Sequence, residues 1–204
     1  METPSHSIIK FLHEAEKLKS VLRHSWLSSG RRESTAEHSW RMALMAMLLH
    51  PYLKYKPNLF KTLKMVLVHD LVEVYAGDIA IWKKDKSAKL TLLKEQKELR
   101  AINKLASMLP GKQGGEIKAL WMEFEARKSK EAKFAQALDR LEVKLQHQEG
   151  DFKHINRTEI KYNFTGGIKE CEYDPFLKHL CQDIMGKWLQ IYKQHKINPK
   201  LYAQ

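Results

Sequence analysis

Residues 65–78 read MVLVHDLVEVYAGD, and this stretch decides the fold. It is the most apolar segment of the chain, yet it carries His69, Asp70, Glu73 and, just past Gly77, Asp78. Burying ionised groups costs several kcal/mol each unless something compensates them. The apolar run extends back to Asn58 through LFKTLKM, too long for a strand, and Leu63, Val66, Leu67 and Asp70 recur at helical spacing. One helix is therefore expected from near Asn58 to Gly77, with the glycine as its stop. On such a helix His69 and Glu73 share a face. Asp70 is displaced by about 100°, near enough for both to reach one ion beside the helix. Asp78 follows the glycine and can turn back over the same opening.

Two other segments repeat the anomaly. In AEHSWRMALMAML, residues 36–48, His38 sits one turn into a largely apolar helix. Ser34-Thr35-Ala36-Glu37 opens that helix as a capping box, and Pro51 and Pro57 bracket the connection after it. In AKFAQALDRLEVKL, residues 132–145, Asp139 lies among Phe134, Ala135, Leu138 and Val143, on a helix that Ser129 can cap. Three helices thus each present an acid or an imidazole from a packing face. One divalent cation reconciles them, held by His38, His69, Asp70 and Asp139, with positions left for water and substrate. Two nitrogens and two carboxylates suit octahedral Mn²⁺, Co²⁺, Fe²⁺ or Mg²⁺, and suit Zn²⁺ less well. Taken singly, each residue also has an ordinary reading. A mid-helix histidine is usually a packed or surface residue, Asp70 and Glu73 can pair with lysines, and Asp139 can pair with Arg140 or Lys133.

The rest of the chain is also helical in period. Ile8, Phe11, Leu12, Ala15, Leu18 and Leu22 form one stripe. Further helices are expected over residues 90–109, 116–127, 130–147 and 175–195, with Gly114 and Gly115 ahead of the second of these and residues 148–174 less regular. No convincing pair of alternating strands is present. The expected fold is all-α, a single helical bundle over residues 1–195 with the metal site between helices, followed by a C-terminal tail at 196–204. A length of 204 residues with 43% apolar content is enough for one substantial core.

Composition excludes several classes. Two cysteines, Cys171 and Cys181, make neither a disulfide framework nor a cysteine zinc site, which favours a reducing compartment. No run approaches 18 apolar residues, and the first twenty residues lack the features of a signal peptide, so a cytoplasmic protein without a membrane span is expected. The net charge of +12 is diffuse, with a local cluster only at Lys83, Lys84, Lys86 and Lys89. That pattern attracts small anions and argues against a nucleic-acid-binding arm.

The sequence resembles the HD-domain metal-dependent phosphohydrolases, in particular their 5'-deoxynucleotidase branch. The resemblance runs through LKSVLRHSWL, RRESTAEHSWRMALMAML, VLVHDLVEVYAGDIA and SKEAKFAQALDRLE, within residues 11–148. It implies one metal on His38, His69, Asp70 and Asp139, an acid–base role for Glu73, a catalytic and substrate-pocket role for Asp78, and substrate contact by Arg23. His24 stands where relatives often carry a threonine, a substrate-side position. Residues 71–138 contain no histidine, unlike relatives that hold two metals and cleave cyclic dinucleotides, and the chain lacks the bulk of the large triphosphohydrolases. The implied activity is release of phosphate from 2'-deoxynucleoside 5'-monophosphates. Competing readings are hydrolysis of another phosphorylated metabolite or a nucleoside triphosphate, a metal-stabilised scaffold, and a basic nucleic-acid-associated protein. The last two leave Glu73 and Asp78 unexplained. The resemblance also implies a homodimer, for which Trp121, Trp188 and Tyr192 offer late aromatic side chains.

Overall fold

The computed structural model describes residues 3–77 and 88–202. Helix α1 spans Pro4–Glu16, and Thr3 caps it by accepting from the His6 amide. A 3-10 turn at Lys17–Lys19 leads into strand β1, Leu22–Trp26, which pairs antiparallel with β2, Arg32–Ser34. Gly30, at φ 85°, makes the return between them. This two-stranded ribbon was not expected from the sequence. LRHSW and RES are too short and too charged to signal strands, and they pair because the bundle holds the ribbon: Arg23, Ser25, Glu33 and Ser34 are all buried.

Ser34 ends β2 and starts α2, Thr35–Leu49. Its side chain accepts from the Glu37 amide while the Glu37 carboxylate accepts from the Ser34 amide, so the expected capping box is present. Helix α3 spans Leu59–Val68 and stops there. The expected continuous helix to Gly77 is corrected: His69–Val72 form a turn, and a short α4 follows at Glu73–Ala76. Bonds from the Leu71, Glu73, Val74 and Tyr75 amides run three residues back, tightening the chain as in a 3-10 helix.

Helix α5 spans Ala88–Ser107, and α6 spans Gln113–Ala126. The pair Gly114-Gly115 lies inside α6 rather than ahead of it, and a Cβ on Gly114 would sit 2.1 Å from the Ala106 carbonyl oxygen. Glycine is what lets α5 and α6 come this close. Helix α7, Lys130–Glu149, is the centre of the molecule. Ala132, Phe134, Ala135, Ala137, Leu138 and Leu141 are buried on several of its faces, and α2, α3, α6, β1 and the last long helix, Pro175–Gln194, pack around it.

The region 148–174 is more ordered than its sequence suggests, with α8 at Arg157–Thr165 under an Asn156–Glu159 capping box and α9 at Ile168–Cys171. Helix α10, Pro175–Gln194, closes the bundle. Beyond residue 195, Pro199–Tyr202 form a 3-10 turn with Pro199 buried. Trp121, Trp188 and Tyr192 are all buried within the single chain. They fill the bundle's own core, so they lend no support to an interface between subunits.

Candidate metal centre

The break after Val68 positions the first candidate ligand. The His69 Nδ1 lies 2.7 Å from the Val66 carbonyl oxygen and donates to it. That bond places the ring proton on Nδ1 and leaves a lone pair on Nε2. His38, fully buried on α2, is fixed in the same way by α7: its Nδ1 lies 2.5 Å from Glu142 Oε2. Both Nε2 atoms are buried and lack an aligned hydrogen bond, though each faces a carboxylate: His38 Nε2 lies 3.4 Å from Asp139 Oδ1 and His69 Nε2 3.1 Å from Asp70 Oδ2. One donor atom each from His38, His69 and Asp139 lies within 4.8 Å of the others. Two buried, unbonded imidazole nitrogens beside a carboxylate are costly in an empty core and fit a divalent cation.

The electrostatics describe the centre before any cation is bound. Burial and Arg23 oppose a charge on His38, yet Glu142 and Asp139 outweigh them and push its pKa up to about 10. Burial works against the Asp139 charge, but Arg140, with Nη1 3.3 Å from Oδ2, and His38 hold its carboxyl well below the usual range. Burial and Glu142 push Glu33 up to about 7. The carboxylates around His38 thus favour a positive charge at this place, and a divalent cation would displace the ring's second proton on binding.

Asp70 stands at the edge of this group. Its Oδ2 is 3.1 Å from His69 Nε2 and 3.3 Å from Arg23 Nη1. Burial opposes its charge, while His69 and Arg23 keep the carboxyl below its ordinary range. Arg23 also faces Glu33, Nε to Oε2 at 3.3 Å. Glu73 is buried, and its Oε2 accepts from the Thr35 hydroxyl at 2.9 Å. His24 is not brought into this group. Adjacent strand residues turn to opposite faces, and the His24 ring lies against His147. Asp78 lies outside the described residues.

Three buried residues escaped the sequence reading. Glu142 carried a usable signal, since it follows Asp139 by three on one helix face. Thr35 and Glu33 carried none, because only the ribbon and the α2 N-terminus bring them to Glu73 and Arg23.

Fold and centre together define the class: a mostly α-helical domain with a candidate imidazole–carboxylate metal centre enclosed between helices. The HD domain family matches residues 15–179. The chain is 36% identical to the 5'-deoxynucleotidase HDDC2 of Xenopus laevis over 165 residues, 79% of each chain. It is 34% identical to the human 5'-deoxynucleotidase HDDC2, covering 80% of this chain and 78% of that protein. Among solved structures, a protein of Magnetospirillum magnetotacticum described as a predicted metal-dependent phosphohydrolase is 33% identical, with a TM-score of 0.76 over 92% of this chain and 96% of that one. The chain belongs to the HD-domain metal-dependent phosphohydrolases, and within them to the 5'-deoxynucleotidase branch.

Proposed function

We propose that this protein hydrolyses 2'-deoxynucleoside 5'-monophosphates to the deoxynucleoside and phosphate. The observation that carries the reading is the pair of buried, unbonded Nε2 atoms on His38 and His69, with Asp139 beside them. The names of the HDDC2 relatives supply the substrate class. His38, His69, Asp70 and Asp139 hold one divalent cation, of the Mn²⁺, Co²⁺, Fe²⁺, Mg²⁺ or Zn²⁺ group. Such an ion, when bound, supplies Lewis-acid polarisation of water and phosphoryl oxygen.

The chain's own groups supply the rest. Glu73 accepts a proton from the attacking water and returns it to the departing 5'-oxygen, and Thr35 aims its carboxylate for that task. Arg23, buried and already facing Asp70, offers a planar fork of donors to the phosphate. Asp78 completes the substrate pocket as the family resemblance implies.

No helix among the described residues is long and apolar enough to cross a membrane. Two buried free thiols, Cys171 and Cys181, support a cytoplasmic setting. We also propose a homodimer, supported by an exposed stripe on α2, Trp40, Leu44, Met47 and Leu48, rather than by the late aromatics.

The test is phosphate release from a matched panel of deoxynucleotides, ribonucleotides and triphosphates with each cation in turn. Metal-dependent turnover confined to the deoxynucleoside monophosphates is expected. A preference for ribonucleotides or triphosphates would overturn the substrate assignment.

A further inference from the structure

A second group of potential ligands lies on the other face of β1. The Nε2 atoms of His24, in β1, and His147, in the last turn of α7, are 3.3 Å apart. Glu159, in the first turn of α8, places a carboxylate oxygen within 4.8 Å of both rings. His147 and Glu159 are buried, and the three side chains line one small cavity with Trp26, Gly150 and His154.

We propose that His24, His147 and Glu159 form a second metal site, for a zinc-class divalent cation, that ties β1 to α7 and α8.

The tautomer of His147 favours this. His147 Nδ1 is 2.9 Å from Asn163 Oδ1, an oxygen that only accepts, so the proton sits on Nδ1 and Nε2 carries a lone pair towards His24. An acceptor oriented in this way behind a ligating histidine is the usual support of a metal-bound imidazole. The spacing fits as well. At Zn–N of about 2.0–2.1 Å, two nitrogens on a tetrahedral ion are about 3.4 Å apart. Glu159 Oε2 accepts from the Asn156 amide at 2.7 Å, which fixes the carboxylate while leaving lone pairs for a ligand bond. Burial pushes the His147 pKa down to about 4 and that of His24 to about 2, so both rings are neutral at physiological pH, as ligation requires. Two nitrogens and one carboxylate leave a fourth position for water.

The ordinary alternative is a plain His24–His147 hydrogen bond with no ion. Zinc equivalents bound by the metal-free chain separate the two. The wild type should bind two equivalents, and His147→Gln and Glu159→Gln one each. Substituted Co²⁺ should give an intense visible absorption of tetrahedral type that His147→Gln abolishes and His38→Ala retains. Saturation of the folded wild type at one equivalent overturns the site, as does a second equivalent that survives both substitutions. Should the variants fold poorly, ring-nitrogen NMR of the wild type decides. The His24 and His147 Nε2 resonances must shift as Zn²⁺ is taken up, and unmoved signals at saturation refute ligation.

Discussion

Glu142 Oε2 lies 2.5 Å from His38 Nδ1, and both side chains are fully buried. A carboxylate behind a ligating imidazole fixes the ring and raises its basicity, and its loss typically costs about 10–100-fold in metal affinity. Glu142→Ala is expected to lose metal affinity in that range. Glu142→Gln, which keeps an acceptor oxygen, is expected to lose less. Competitive titration with a chromophoric chelator measures both, and wild-type affinity in Glu142→Ala would remove the residue from this role.

Glu73→Gln keeps shape but cannot take a proton. Its turnover is expected to fall by about 10²–10⁴-fold, the usual contribution of a general base, with metal content unchanged. Thr35→Val removes the hydroxyl that aims the carboxylate and should give a smaller fall in kcat with little change in KM. Steady-state kinetics alongside metal analysis checks both. A near-wild-type rate in Glu73→Gln would sink the assignment.

Metal removal should lower thermal stability, because an ion that binds only the native state stabilises it by about 2.7 kcal/mol at one hundred times its Kd. For a chain of this size that is a Tm shift of about 5–10 °C. Asp139→Ala should start from a lower Tm in the presence of metal and respond less to chelator. Scanning calorimetry with and without chelator is the measurement, and a full wild-type chelator shift in Asp139→Ala would contradict ligation by this residue.

The apolar stripe on α2 predicts association. Trp40 is 64% exposed and Leu48 59%, an arrangement unusual for a helix facing only water. Light scattering on the metal-loaded protein is expected to give about 48 kDa, twice the chain mass, under the twofold symmetry usual for such pairs. Leu44→Asp should reduce it to the 23.9 kDa of one chain. A concentration-independent monomer in the wild type would exclude the dimer.

Two neighbouring glycines should respond oppositely to alanine. Gly114→Ala places a methyl against the Ala106 carbonyl backbone and should destabilise by about 1–3 kcal/mol. Gly115 has nothing within 4 Å of a built Cβ, so Gly115→Ala should gain up to about 1 kcal/mol from helix propensity. Urea unfolding of both variants tests the contrast, and equal effects would count against the close α5–α6 approach.

The sequence by itself determined the helical class, most helix boundaries, the Ser34–Glu37 cap and the acids and imidazoles set among apolar neighbours. These are local signals: periodicity, capping residues, and charge where burial is expected. They named His38, His69 and Asp139, which the structure gathers. The tertiary structure decided what depends on contacts between distant segments. The break after Val68 rests on a turn of short-range backbone bonds that a β-branched apolar run does not announce. The ribbon at Leu22–Trp26 forms because the bundle buries it, and it sends Arg23 to Asp70 while turning His24 to His147. Trp121, Trp188 and Tyr192 read equally well as core or interface until their neighbours are known. A side chain's partners across the chain depend on how whole helices pack. That packing is set by the summed burial of many residues rather than by any local pattern.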